Sequence, residues 1–323
     1  MNLKQIPLLR MLNKYRILYR EKKKAYRNKK ELLQNIQAMG NKYPDKTICL
    51  IYRLSEKTGL FSDVITFLGR IKEAVDNGWE PVIDMQNYPN MYLQEDQIGI
   101  VNAWEFFFEQ PFGIGVTEAL ESSRVIKIGA DGAADYPFAS AGFLYGEYGK
   151  LEMWRRYVHE YVQIRTEIQE EIERKYHAMI GEQDKVCGVL VRGSDYTTMR
   201  PKGHPIQPTI PQVIQKVTEV AKEYGCNKIY LSTEEQKTVD EFKKVFGINL
   251  LYLDKTYIDY RGGYLADAKI VRDRKTGGIE YLTQIAILAK CDCIVAGVCS
   301  GTLGAALLSE GYEYEYYWNL GYY

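Results

Sequence analysis

Three short runs in the second half of the chain combine residue types that can hold a phosphate-rich ligand. The first is Arg192, Gly193, Ser194 and Asp195. An arginine is permanently charged and presents a planar fork of donors that matches phosphate oxygens; an ion pair between Arg192 and Asp195 is the structural alternative. The second is Ser232, Thr233, Glu234 and Glu235, where short hydroxyls and carboxylates suit sugar hydroxyls or a base edge, and where Thr233 also suits a helix N-cap. The third runs from Gly297 through Cys299, Ser300, Gly301 and Thr302 to Gly304. Small residues let backbone N–H groups approach an anion at a helix N-terminus, although a tight packed turn has the same composition. The spacing matches neither GxGxxG nor a P-loop.

The elements that position these runs are legible from periodicity. Apolar runs at 186–191, 228–232, 249–253 and 293–296 read as strands, and they alternate with helical patterns at 210–224, 238–246, 278–289 and 301–309. Strands apolar throughout and alternating with helices belong to a parallel sheet covered on both faces. Ligands of such sheets bind beyond the carboxyl ends of the strands, where all three runs fall. The first half repeats the theme with strands at 47–53 and 81–85 around a helix at 61–76, followed by a loop at 86–102. Trp104, Phe106, Phe107 and Phe108 crowd aromatics beside Glu105 and Glu109; they suit a sugar cleft or, more commonly, a core. Residues 151–180 read as one long charged helix joining the halves. The expected organisation is an arm at 1–46, an α/β domain at 47–165 on the acceptor side, a connecting helix at 166–183 and a Rossmann-like domain at 184–323.

Composition bounds the function. The 323 residues are 46% hydrophobic and 26% charged, as in a globular protein, and no apolar run reaches the ~18 residues needed to span a bilayer. Lysine plus arginine and aspartate plus glutamate both total 42, but residues 1–30 hold eleven basic residues against Glu21 alone. The rest of the chain carries the compensating negative charge, which argues against a nucleic-acid partner. Residues 8–36 suit a basic amphipathic helix, either lying on an anionic membrane surface or packed on the body. Six cysteines without CxxC spacing and three histidines argue against a zinc site or a disulfide framework, and the expected compartment is the cytoplasm, with peripheral attachment to the inner face of the membrane.

A half that grips a diphosphate through Arg192 and the turn at Ser300, joined to a second half with its own sheet, is the plan of a two-domain sugar-nucleotide transferase. No DxD triplet occurs, so arginine and the helix dipole are expected to neutralise the leaving group, with no metal and no cofactor.

At these residues the sequence resembles a family. VLVRGSD at 189–195, followed by His204, Pro205 and Ile206, is similar to the HVRRTD and HPI motifs of the α1,6-fucosyltransferases, which include nodulation enzymes, and the spacing from arginine to HPI agrees without a gap. IYLSTEE at 229–235 is similar to the family's YLATDD, and CDCIVAGVCS at 291–300 to its ADFLVCTFSS. The resemblance covers about 186–308. It implies an α/β, GT-B-like fold of two Rossmann-like domains facing a cleft, GDP-fucose as donor, inversion at the anomeric carbon and no metal. It places Arg192 on the family's diphosphate arginine, Asp195 on the acid of that motif, Glu234 and Glu235 on its paired aspartates, and Ser300 on a serine near the phosphates. A further donor-binding aspartate falls on Gln284, or on Glu280 with one gap. The catalytic candidates are thus Arg192 and Asp195, and the donor-binding set is Arg192, Ser232, Glu234, Glu235, Glu280, Gln284, Ser300, Gly301 and Thr302.

The departures fall around the acceptor. The family's second arginine is Gly193 here, its next lysine is Tyr196, and its acceptor-base glutamate falls on Arg200, which accepts no proton at physiological pH. The base is then Asp195 or a residue across the cleft, with Asp84 and Glu105 ranked above Glu118, and His204 also on the acceptor side. Three readings follow: a fucosyltransferase of surface polysaccharide or glycolipid assembly, a GT-B enzyme using another nucleotide sugar, and a non-catalytic nucleotide- or sugar-binding homologue. The Tyr-rich tail at 312–323 suits a helix returning to the first domain, an interfacial belt or a homodimer surface.

Overall fold

A computed structural model of the chain describes residues 33, 35–259, 262–263 and 273–323. The expected basic helix at 8–36 lies almost wholly outside the described residues.

Two parallel sheets organise the chain. The first has strands β1 (Ile48–Tyr52), β2 (Glu80–Asp84) and β3 (Val125–Gly129) in the order β2-β1-β3. Helix α1 (Leu60–Asp76) crosses from β1 to β2, with Leu60, Phe61, Val64, Phe67, Leu68 and Ile71 recurring every three or four residues on its buried face. It ends at Asn77 and Gly78, whose φ of +72° is the left-handed turn that glycine adopts without steric penalty.

Helices α2 (Leu151–Tyr161) and α3 (Thr166–Met179) then lead to the second sheet. Its strands are β4 (Val186–Leu190), β5 (Lys228–Ser232), β6 (Leu250–Leu251), β7 (Cys293–Ala296) and β8 (Tyr314–Tyr317), in the order β6-β5-β4-β7-β8. Every neighbouring pair is parallel. Its helices are the short α4 (Ser194–Met199), α5 (Ile210–Tyr224), α6 (Gln236–Phe246), α7 (Arg274–Ala289) and α8 (Ser300–Leu308). Helix α5 shows why its boundaries were readable: Thr209 caps it in a reciprocal pair with Gln212, Pro211 sits in its first turn, and Gly225 closes it at φ +69°.

The sheets are joined through one apolar core. Helix α8 packs on α1 and α2, close enough that a Cβ on Gly304 would strike the Phe61 ring. Arg155 on α2 donates its Nε–H to the Ala306 carbonyl at 2.8 Å. Cys49, Phe67, Trp104, Leu303 and Tyr317 belong to a single buried cluster spanning both sheets. Two α/β units with parallel sheets, facing each other across a crevice, make the fold GT-B-like.

Several expectations are corrected. Residues 151–180 are two helices, not one. Between them Val162 leaves helical geometry, Ile164 bridges to Phe108, and the Gln163 carbonyl accepts from Glu109, because this stretch pairs with the aromatic segment. That segment is core: Trp104, Phe107 and Phe108 are all buried, and the Trp104 indole donates to the Glu109 carbonyl at 3.0 Å. The Tyr-rich tail contributes not a helix but the edge strand β8, where β-prone tyrosines continue the sheet beside β7. Strand β6 keeps only two of the five residues expected.

One buried carboxyl gives the fold a pH signature. Asp63 on α1 is 3% exposed and accepts from Thr58 Oγ1 at 2.7 Å and Arg53 Nη1 at 2.8 Å. Burial pushes its carboxyl up to about 6, against the pull of Thr58 and Arg53. An acid whose pKa is higher folded than unfolded binds its proton more tightly in the folded state. Its contribution to stability is therefore full below the unfolded value and is lost as pH rises through about 6. Between pH 4.5 and 7.5 the wild type is expected to lose roughly 2 kcal/mol relative to Asp63→Asn in urea unfolding. Parallel pH profiles for the two proteins would contradict the assignment.

Candidate active site

In the second sheet the strand order reverses direction between β4 and β7, which is where open parallel sheets leave a crevice beyond their carboxyl ends. A cleft of about 740 Å³ opens there, within the size range of small-ligand sites. Its floor comes from the second sheet, through residues after β4, β5 and β7 and along α7. Its facing wall comes from the first, through Lys57, Thr58, Gly59, Leu60 and Phe61 at the start of α1 and through Met91 and Tyr92.

Arg192 stands at the end of β4 and lines the cleft, its side chain 24% exposed. Its Nη2 donates to Asp195 Oδ2 at 3.0 Å, and its guanidinium carbon lies 4.3 Å from the centre of the Tyr196 ring. The ion pair considered from the sequence thus forms, and it orients the arginine at the cleft without removing it. Burial lowers the guanidinium pKa, but Asp195, with smaller contributions from Tyr196, Cys299 and Tyr281, outweighs it and the net movement is upward. Asp195 is fully buried and also accepts from the Tyr196 amide at 2.9 Å. It lines the same cleft.

Opposite Arg192, the β7–α8 turn brings Cys299, Ser300 and Gly301 to the cleft at the N-terminus of α8. A Cβ on Gly301 would strike the Tyr281 hydroxyl, so glycine is required for α7 and α8 to approach this closely. Burial raises the Tyr281 phenol further above its usual range and keeps it neutral. At Gly297 a Cβ would meet the Gln207 side chain, which would have to shift to admit it. After β5, Ser232 and Glu234 reach the cleft, and Glu234 accepts from the nearly buried Lys255 ammonium at 2.9 Å. Along α7, Glu280 and Gln284 line the cleft one turn apart, so the two alignments for the further aspartate point to one wall. The Gln284 amide nitrogen donates to the Thr233 carbonyl at 3.0 Å, while its Oε1 is buried without a hydrogen-bond partner among the described residues. His204 also lines the cleft.

Other expected site residues do structural work instead. Thr302 is buried and donates its hydroxyl to the Gly297 carbonyl at 2.5 Å, tightening the turn from within. Glu235 is buried at the start of α6 beside Ile258, turned from the described lining. Thr233 does not cap α6; Glu235 occupies that position. Asp84 is buried and accepts from the amides of Gln86 and Asn87, closing a turn after β2. Glu105 accepts from Asn102 and Gln110 side chains at 3.1 and 3.0 Å. Glu118 accepts from the Tyr43 hydroxyl. None of Asp84, Glu105 and Glu118 is among the described residues lining the cleft, because strand ends and aromatic neighbours locate a residue in a sheet but not the side of the sheet it serves. Arg200 ends α4 in the left-handed region, at φ 46° and ψ 57°, and is exposed and also absent from that lining.

Sequence reasoning missed the first-sheet wall and several residues of the second half, among them Lys255, Arg274 and Tyr281. The signal for the wall was the run Lys57, Thr58, Gly59 directly before the α1 pattern, the same small-residue and helix-start combination that marked the β7–α8 turn.

No protein family and no curated protein matches the sequence. Solved structures of similar shape include NodZ α-1,6-fucosyltransferase soaked with GDP-fucose, with 16% identity over 82% of this chain and 93% of that one and a TM-score of 0.49. The fucosyltransferase NodZ from Bradyrhizobium gives 16% identity, 82% and 94% coverage and a TM-score of 0.48. POFUT1 in complex with GDP-fucose gives 12% identity, 87% and 100% coverage and a TM-score of 0.48.

Proposed function

We propose that the chain is a glycosyltransferase that moves L-fucose from GDP-fucose to a saccharide acceptor, with inversion and without a metal, in the assembly of a surface polysaccharide or glycolipid. The observation that carries this reading is the placement of Arg192 at the sheet's switch point, facing the cleft beside the N-terminus of α8. Bond cleavage leaves two negative phosphates. A fixed guanidinium and the free N–H groups of a helix start stabilise that charge as it develops, which is the role a metal takes in other transferases. The choice of guanosine and fucose rests on the motif resemblance around Arg192, Glu234 and Ser300. The Glu234 and Glu280 carboxylates supply acceptors to a base or ribose in the same wall.

A second reading keeps the nucleotide site and drops the transfer. It is favoured by Arg200, which replaces the family's acceptor base and stands outside the described lining. Thermal unfolding with GDP, UDP and GDP-fucose, followed by an assay for fucose release, separates the readings. GDP at 100 times its Kd is expected to stabilise by about 2.7 kcal/mol and UDP at the same concentration by much less. Stabilisation by UDP alone would point to another nucleotide sugar. Stabilisation by GDP with no fucose release or transfer would favour the binding protein.

A further inference from the structure

Tyr196 stands where the resembling family has a lysine, so its place beside the arginine is a property of this chain. The ring lies under the Arg192 guanidinium, with 4.3 Å between the Arg192 carbon and the ring centre. It also meets the His204 ring, edge to face, with centres 5.1 Å apart and planes at 80°. His204 is in turn fixed by the end of the chain. Tyr323 donates its amide to the His204 carbonyl and accepts from the Gly203 amide, both at 3.0 Å. The Ile206 amide donates to the Gly321 carbonyl at 2.9 Å, and Pro205 pairs antiparallel with Tyr322. The same loop reaches the phosphate turn, because Gln207 donates its side-chain amide to the Val298 carbonyl at 2.9 Å.

We propose that Tyr196 is a positioning residue for Arg192, and that Gly321, Tyr322 and Tyr323 complete the donor site by holding His204 against it. The inference rests on Arg192 as the diphosphate ligand. A guanidinium on an arginine stem samples many rotamers, so contacts that hold it at the cleft lower the entropy lost when its fork takes up a ligand. Asp195 fixes one edge of that fork by an ion pair, and the Tyr196 face fixes its plane through a cation–π contact. The carboxy-terminal ladder matters because it keeps the His204 ring packed against that of Tyr196.

The test uses the full-length chain, Tyr196→Phe, Tyr196→Leu and a form ending at Leu320, titrated calorimetrically with GDP. Phenylalanine keeps the aromatic face and is expected to bind GDP like the wild type, whereas leucine keeps apolar bulk without that face and is expected to bind about tenfold more weakly. The shortened form is expected to bind more weakly too, with faster hydrogen exchange at the Gly203 and Ile206 amides. A second readout needs no ligand: exchange of the Arg192 guanidinium protons with water, followed by NMR, is expected to quicken in Tyr196→Leu and in the shortened form but not in Tyr196→Phe. Unchanged exchange and unchanged GDP affinity in Tyr196→Leu would overturn the inference. Failure of the wild type to bind GDP would instead remove the donor-site reading, while the exchange rates still decide whether Tyr196 holds the arginine.

Discussion

Replacing Arg192 with alanine is expected to lower donor turnover, measured as fucose released from GDP-fucose, by about 10²–10³-fold, the loss seen when one preorganised donor to a developing anion is removed. The change also strips Asp195 of its ion-pair partner, and Asp195 is fully buried. Removing one partner of a buried ion pair is expensive, so a stability loss on the order of 3 kcal/mol accompanies the substitution. The two effects are separable. Combining Arg192→Ala with Asp195→Asn removes the buried negative charge as well and is expected to recover most of the stability, while turnover stays low. Arg192→Lys keeps a charge but not the fork, and belongs between wild type and alanine in turnover. Recovery of turnover in the double variant would show that Arg192 acts only by neutralising Asp195.

The second large effect concerns the aromatic segment. Trp104→Ala is expected to cost about 4 kcal/mol in unfolding free energy, as deletion of a fully buried large aromatic does, with cavity formation adding to the lost burial. Trp104 packs edge-on against Phe67 of α1 and tilted against Phe108, with ring centres 5.7 and 4.6 Å apart, so its loss loosens the helix that walls the cleft. Guanidinium-chloride unfolding checks this. A stable variant with impaired acceptor use would restore the sugar-cleft reading that the structure replaces.

How much of this was written in the sequence differs between the halves. The second sheet was legible because β4, β5 and β7 are apolar on both faces and the helices between them carry clear caps, as at Thr209 and Gly225. Arg192, Asp195, Glu234 and Ser300 were legible because a parallel sheet dictates where its ligands sit. Strand β8 was not, because its tyrosines alternate with Glu313 and Glu315 and only the neighbouring β7 edge makes them a strand. The break between α2 and α3 was hidden for a similar reason: the residues that end the helix bond to Phe107, Phe108 and Glu109, some fifty positions earlier. The acceptor wall failed most fully. Asp84 and Glu105 have the right chemistry, but their oxygens are engaged by Asn87, Asn102 and Gln110, contacts that periodicity does not encode.

The most direct measurement is a crystal structure of the protein soaked with GDP-fucose. A pyrophosphate lodged between the Arg192 guanidinium and the amides at Ser300 and Gly301, with phosphate oxygens roughly 2.8 Å from the arginine nitrogens, is the predicted outcome. Nucleotide bound away from the crevice between β4 and β7, or Arg192 turned from it with the diphosphate in place, would contradict the account at its root.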